Sequence, residues 1–378
     1  MLLKIEKLVY GGAGLARTDQ GVVFVARSTP GDVIEVEIVG KKKDYATARI
    51  VQVLEPSPDR QEPYCPNYES AGCCHWQHIR YDRQVDYKEA IIRETFRRVG
   101  HFDWNETIHR LIGPDRNYRL RATFHVTSGR LGFMRENTNV VVPIRECASL
   151  VPELNEFIGS ADVDASPARE VHAVSSPEVV ASFVLNDGSI QRSGRATIQV
   201  DEIHYRLTAD TFFQANRFLL SAMIHEVLQQ AGPSPGNVLE LYAGVGFFSI
   251  PLARVAKEVI AIESNRMAVR LLQENSRMNQ TWQLRSVEGQ VDATLRAADL
   301  HPNVVLLDPP RSGCGEQTAH QIAALRPDRI VYVSCNPATF AREAATFCAK
   351  GYDLRRVSLV DQFPNTFHIE LVASFEVR

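Results

Sequence analysis

The stretch Arg329-Ile-Val-Tyr-Val-Ser334-Cys335-Asn336-Pro337 is an apolar run of strand type that stops on a cysteine. Asn336 is a good helix N-cap and Pro337 a good first helical residue, so a strand end and a helix start are predicted around one thiol. The positive end of a helix favours thiolate, but it contributes only ~0.3–1 kcal/mol, whereas one pKa unit is worth ~1.4 kcal/mol. The helix alone therefore cannot ionise Cys335. A second charge or a dry pocket is required, and Arg311 in Asp308-Pro-Pro-Arg311-Ser-Gly313 is the candidate neighbour. The competing reading is a buried structural cysteine.

Three further apolar runs end on polar or special residues: Val238-Leu-Glu240-Leu-Tyr242, Val259-Ile-Ala-Ile-Glu263 and Val304-Val-Leu-Leu-Asp308. Helical stretches separate the four runs, which predicts a parallel, doubly wound α/β sheet of Rossmann-like type over residues 201–378. In such sheets ligands bind outside the carboxyl ends of the strands, so Tyr242, Glu263, Asp308 and Cys335 are expected to converge on one crevice. Glu240-Leu-Tyr-Ala-Gly244-Val-Gly246 is a glycine turn after the first run, and Glu263 ends the next. The pair suits a nucleoside cofactor gripped through its ribose, and the loop lacks the third glycine that cradles a pyrophosphate. S-adenosylmethionine fits best. The alternating run Phe367-His-Ile-Glu370-Leu-Val-Ala-Ser-Phe-Glu-Val377 is a final strand, with Glu370 either a general base or solvent-facing.

The N-terminal half has a different texture. Residues 1–57 read as short strands with glycine punctuation, a small barrel of five strands. Lys41, Lys42 and Lys43 fall on one of its loops, as a solvated turn or an RNA phosphate contact. Pro56 to Pro63 is a linker. Residues 58–200 form a mixed α+β central domain, with a helix over 81–99 stopped by Gly100 and a second, mixed sheet over 115–200. Arg119, Arg121 and Arg135 either face RNA or are solvated. Cys65, Cys73 and Cys74 crowd ahead of the helix, and Cys147 is the remaining thiol of this half. Close thiolates suit zinc or an iron-sulfur cluster; adjacent Cys73 and Cys74 are awkward for one tetrahedral zinc and better tolerated by a cluster, and the competing reading is three reduced thiols with no metal.

The 378 residues predict two or three domains. A net charge of -3 advertises no nucleic-acid partner, so any RNA contact is local. Charge interrupts the N-terminus too early for a signal peptide and no apolar run is long enough to span a membrane; a cytoplasmic protein without membrane contact is expected. No oligomeric state is specified, and a monomer is the expectation.

Residues 1–57 resemble the TRAM domain, an OB-like RNA-binding module, in their glycine-rich start, Pro30-Gly-Asp32 and Ala48-Arg-Ile50. Four motifs then resemble, in order, the RNA 5-methyluridine methyltransferase family: Ala209-Asp-Thr-Phe-Phe-Gln214-Ala-Asn216, Asp308-Pro-Pro-Arg-Ser-Gly313, Ser334-Cys-Asn-Pro337 and Phe363-Pro-Asn-Thr-Phe-His-Ile-Glu370. The resemblance implies Cys335 as nucleophile and Glu370 as base, with Gln214, Tyr242, Glu263 and Asp308 lining the cofactor and uracil sites and Gln290 near the adenine. It implies S-adenosylmethionine as cofactor and structured RNA as substrate, with 23S ribosomal RNA expected and transfer RNA the alternative, since members with a TRAM domain and a cluster mostly resemble the ribosomal RNA enzymes. It also implies a 4Fe-4S cluster on Cys65, Cys74 and Cys147, with Cys73 as a displaced fourth ligand. Family members carry Cys-x5-Cys-Gly-Gly-Cys, and alignment on Gln77-His78 puts Ala71 at the second cysteine and Cys73 at a glycine. Phe247 stands where a polar residue often contacts the cofactor. Competing functions are a cytosine or amine methyltransferase and a non-catalytic RNA-binding protein.

Overall fold

The computed structural model describes residues 1–160, 168–297 and 300–378, so the part of the expected central sheet at 161–167 lies outside the described residues. The chain forms two compact units: Met1–Glu94 with Phe133–Val142 and Phe363–His368, and Thr95–Gly132 with Pro143–Gln362 and Ile369–Arg378.

The first unit opens with a six-stranded sheet. Its order is Leu2–Lys4, Val33–Lys41, Tyr45–Glu55, Gly21–Val25, Gly14–Thr18, Lys7–Leu8. Six strands replace the five expected, because the short ones at the two ends have too few residues to display an alternation in sequence. Leu3, Ile5, Ala16, Val23, Val25, Ile34, Val36 and Ala48 form its core. Three register shifts in the ladder of Val33–Lys41 with Tyr45–Glu55 bend that pair. Lys41, Lys42 and Lys43 are exposed at the turn between them. The helix expected over 81–99 runs as Tyr81–Thr95 and closes in a π turn, Phe96–Gly100.

A dense hydrogen-bond network holds the turn Phe363–His368 within this unit. Asn365 has a left-handed backbone, φ 64°. Its carbonyl accepts from His75 N and Trp76 N at 2.9 and 3.0 Å, and its N–H donates to Gln84 Oε1 at 2.9 Å. Its side chain accepts from Gln84 Nε2 and donates to Tyr64 Oη, while Lys88 Nζ donates to Phe363 O. Asparagine is among the few non-glycine residues that take this conformation readily.

The second unit is built on an eight-stranded sheet. Its order is Leu284–Glu288, Glu258–Glu263, Asn237–Leu241, Val304–Leu307, Arg329–Ser334, Glu370–Val377, Tyr352–Val360, Ile108–Leu111. The first five are parallel to one another, as their helix-separated apolar runs require. Glu370–Val377 is antiparallel to both of its neighbours. Unlike a half-solvated strand, it is buried from Glu370 through Phe375, so Glu370 does not face solvent. A second, six-stranded sheet holds the strands between 121 and 192; its ladders from Arg121–Thr127 through Ala168–Ser176 and Glu178–Leu185 to Ile190–Arg192 are antiparallel.

Replacing Asn365 by alanine removes two side-chain hydrogen bonds and puts a poor residue at a positive φ. A loss of roughly 2–4 kcal/mol in unfolding free energy is expected. Urea denaturation checks this, and a change below about 0.5 kcal/mol, the range of ordinary surface substitutions, would mean the turn is held otherwise.

Candidate active site

The sheet order places the polar strand ends side by side. Gln290 follows strand Leu284–Glu288, Glu263 ends the next, Tyr242 follows Asn237–Leu241, Asp308 follows Val304–Leu307 and Cys335 follows Arg329–Ser334. All leave by the carboxyl edge of the parallel strands. Glu370 joins them because its strand runs the other way and begins at that edge, with Leu371 paired to Ser334. The reversal of strand order between Asn237–Leu241 and Val304–Leu307 marks the switch point where doubly wound sheets bind ligands.

Asn336 caps helix Pro337–Ala349 as its sequence demands: its side chain accepts from Ala338 N and Thr339 N, and Pro337 takes the first turn. The helix end nonetheless does not ionise the thiol. Burial, then the negative charges of Glu370 and Asp308, push Cys335 up to about 12, opposed by the Arg311 guanidinium. Burial raises Asp308 to about 7. Burial and Asp308 together hold Glu370 well above the usual carboxylate range, again opposed by Arg311. Two carboxyls that share one dry site cannot both ionise easily, so the pair carries a proton near neutrality.

The cofactor half is shaped by backbone. Tyr242 takes a left-handed φ of 63°, a strained conformation for a tyrosine of the kind found at binding sites. Gly244 has φ 56° and open space where a Cβ would stand, so a ligand can approach its main chain. Glu263 is fixed by Gly244 N at 3.0 Å and Asn265 N at 2.6 Å, one on each oxygen, which leaves acceptor capacity on both. Exposed Gln290 begins the turn into helix Val291–Ala297, its carbonyl accepting from Thr294. These residues fit a ribose and an adenine edge. Phe247 makes no polar contact through its side chain; it is buried among Tyr205, Phe213 and Phe248.

The loop Ala209–Asn216 supplies the other wall. Gln214 Nε2 lies 3.5 Å from Asp308 Oδ2, and Gln362 Nε2 donates to Gln214 Oε1 at 3.2 Å. The buried Oε1 of Gln362 has no hydrogen-bond partner among the described residues, an acceptor that a ligand N–H would satisfy. Arg121 braces the loop through the carbonyls of Thr211 and Phe213 at 3.0 and 3.2 Å and lies 5.4 Å from the ring of Phe212, which is 64% exposed. Burial lowers Arg121 to about 10, so it stays charged. Of the arginines weighed from sequence, Arg135 is exposed and Arg119 is half-buried, donating to Arg121 O. The roles of Gln362 and of Arg121 as a brace have no sequence signal, because each acts on a residue far away in the chain.

The 4Fe-4S cluster expected on Cys65, Cys73, Cys74 and Cys147 is not shown. Among the described residues no group of three or more His, Cys, Asp or Glu side chains could hold a metal ion. Cys65 and Cys74 are instead packed with Tyr68 in a small core that Cys73 and Tyr64 flank, and Ala71 is buried where a second ligand cysteine would be needed. Tyr68 Oη ties this segment to His75 O and His78 Nδ1, and Cys65 N donates to Gln77 Oε1. Cys147 belongs to the second unit, where its backbone is paired with Asn155.

A doubly wound sheet with a carboxylate and a glycine turn at its switch point, and a thiol beside a buried carboxyl, suits an enzyme that uses a nucleoside cofactor. Residues 184–376 match the tRNA (Uracil-5-)-methyltransferase family and residues 1–51 the TRAM domain. An uncharacterized RNA methyltransferase of Aquifex aeolicus is 32% identical over all of this chain and 98% of its own length. A 23S rRNA (uracil(1939)-C(5))-methyltransferase of Shewanella is 28% identical over 99% of this chain and 95% of its own. In fold, the chain is similar to the tRNA (uracil-54, C5)-methyltransferase of Pyrococcus abyssi, solved with S-adenosyl-L-homocysteine: TM-score 0.77, 24% identity, covering 99% of this chain and all of that one. The chain belongs to the tRNA (uracil-5-)-methyltransferase family, enzymes that methylate uracil in RNA with S-adenosylmethionine, and carries a TRAM domain ahead of the catalytic part.

Glu240 gives the site a measurable pH signature. Burial, reinforced by Asp308 and Glu263, raises its carboxyl to about 8 against the opposing hydroxyl bond from Ser249. The native state then holds a proton that the unfolded chain releases near 4.5, so this stabilisation is complete below that pH and is lost as pH rises towards about 8. Asp308 and Glu370 act with the same sign. Glu240→Gln cannot ionise and still accepts from Ser249; its melting temperature should fall less steeply than the parent's across that window. Parallel melting curves against pH would contradict the assignment.

Proposed function

We propose that the protein transfers a methyl group from S-adenosylmethionine to carbon 5 of a uridine in 23S ribosomal RNA, through a covalent bond to Cys335 that Glu370 resolves. The observation that carries this reading is the pairing of Ser334 with Leu371, which sets a thiol beside a buried carboxyl at the ligand-binding edge. Glu263 would hold the ribose, Gln290 the adenine edge and Tyr242 the cofactor's loop side, while Gln214 and Asp308 face the cofactor and the uracil. The division of labour follows the chain: 1–57 for RNA, with Lys41 to Lys43 on phosphate, 58–200 as the central domain and 201–378 for catalysis.

The chemistry calls for these residue types. Carbon 5 of uracil is too weak a nucleophile to take a methyl group, but addition of the Cys335 thiolate to carbon 6 leaves an enolate that is nucleophilic there. S-adenosylmethionine, when bound, supplies the methyl on a sulfonium. Glu370 then takes the proton from carbon 5, and the carbon 6–sulfur bond breaks to return the thiolate. A carboxyl held well above its usual range is a stronger base than an exposed one. The target base must leave its stack to reach Cys335, and exposed Phe212 offers a flat face beside the loop.

The support for ribosomal RNA is the end-to-end similarity to enzymes named for 23S rRNA, over 99% of this chain. Mapping 5-methyluridine in cells lacking the protein should show its loss from 23S ribosomal RNA. Loss from transfer RNA alone overturns the choice of substrate.

RNA carrying 5-fluorouridine should be methylated once and stay attached through Cys335, because fluorine cannot leave as a cation. Glu370→Gln should trap the natural substrate likewise, and Cys335→Ala should bind RNA without forming either adduct. Turnover retained by Cys335→Ala sinks the mechanism. Glu263→Ala should weaken cofactor binding by at least about 1.5 kcal/mol, the loss of one charge-assisted hydrogen bond; unchanged calorimetric affinity would remove Glu263 from the cofactor site.

A further inference from the structure

Glu343 lies in the interior of helix Pro337–Ala349, two turns beyond Cys335, and is only 5% exposed. One of its oxygens accepts from Gly315 N at 2.9 Å. The other accepts from Tyr332 Oη at 2.6 Å, Cys314 Sγ at 3.1 Å and Cys314 N at 3.4 Å. Such a set of donors on two oxygens suits a carboxylate, which has four lone-pair sites and no hydrogen to place. Gly313 has φ 83°, and a Cβ there would stand 2.2 Å from Glu343 Oε1, so the loop runs against the carboxylate as closely as backbone permits. The same helix grips the front of the loop, because Asn336 Nδ2 and Thr339 Oγ1 both donate to Arg311 O at 3.1 and 3.3 Å. Arg311 sits between these two grips. It is also the cation that acts on both Cys335 and Glu370.

We propose that Glu343 is a positioning residue for methyl transfer: by gripping Gly315 and Cys314 it fixes the 308–315 loop and so holds the Arg311 cation where it acts on Cys335 and Glu370. This rests on the reading of Cys335 as nucleophile and deepens it. An amide at this position turns an N–H donor towards donors on one side or the other, so Glu343→Gln loosens the grip on the loop in either role, structural or positioning, and the roles are separated by what becomes of Arg311.

The sign of one measurement separates the two roles. Removing a negative charge near a thiol, with nothing else moved, favours thiolate and shifts its titration to lower pH. Releasing Arg311 removes a positive charge and shifts it higher. In Glu343→Gln, the pH profile of Cys335 alkylation by iodoacetamide, followed on the Cys335 peptide by mass spectrometry, should move to higher pH. The kcat for RNA methylation should fall roughly tenfold or more while the KM for S-adenosylmethionine stays within about twofold, as expected when a reacting group loses its aim. Glu343→Asp, which keeps the charge, should recover part of both. Should Glu343→Gln fail to fold, Gly313→Ala pushes the loop away with the carboxylate intact and should reproduce the alkylation shift. An alkylation profile that stays put or moves lower in the soluble variant, or a kcat within twofold of the parent, overturns the proposal. Failure of the underlying reading shows elsewhere, as turnover retained in Cys335→Ala, and leaves the alkylation result readable.

Discussion

One antiparallel ladder organises the catalytic unit. The strand Glu370–Val377 inserts between Arg329–Ser334 and Tyr352–Val360 and pairs Leu371 with Ser334. In a wholly parallel sheet, a carboxylate at the start of a strand would point to the edge opposite a cysteine at the end of one. Reversal of this strand brings both to the same edge, and the pairing fixes them next to each other. A slip of one residue would turn Glu370 to the other face of the sheet. Burial of this strand on both faces makes such a slip costly, so the geometry of the chemistry is guarded by packing that never touches a ligand.

The same burial sets the electrostatics. Glu240, Asp308 and Glu370 lie in one dry crevice, and each is raised by desolvation before any other cause. Arg311 is the cation set against this acidity near Cys335. The site therefore favours the protonated forms of these carboxyl groups. The loop after Val304–Leu307, which carries Arg311, is tied to its neighbouring helix at both ends.

Much of this was legible in the chain. The apolar runs ending at Tyr242, Glu263, Asp308 and Cys335 announced the parallel strands, since residues buried on both faces leave no alternation to misread. The cap at Asn336 and Pro337 was equally local. What escaped is non-local. Glu343 reads as an ordinary helix residue until Gly315 and Tyr332 meet it, and Gln362 as part of a turn until it reaches Gln214. Glu370 could have been solvent-facing, because its strand alternates as though one side were wet; the neighbours that bury that side lie elsewhere in sequence. The cysteines are a related case. Clustering in sequence suggests ligands, but convergence of side chains is a non-local property, and Ala71 interrupts the spacing on which the resemblance depends.

The outermost strand of the catalytic sheet, Ile108–Leu111, pairs in parallel with Val357 to Val360. A ribosome makes the first member of that pair long before the second. Until residues 352–377 have emerged, Ile108–Leu111 has no partner, and Arg329–Ser334 presents an open hydrogen-bonding edge. The sheet can therefore close only late in synthesis, after a long loop has been brought together, which is the kind of contact that slows folding. Glu370 arrives in that same final step. The nascent chain can thus complete its parallel strands and their carboxyl edge before Glu370 joins that edge.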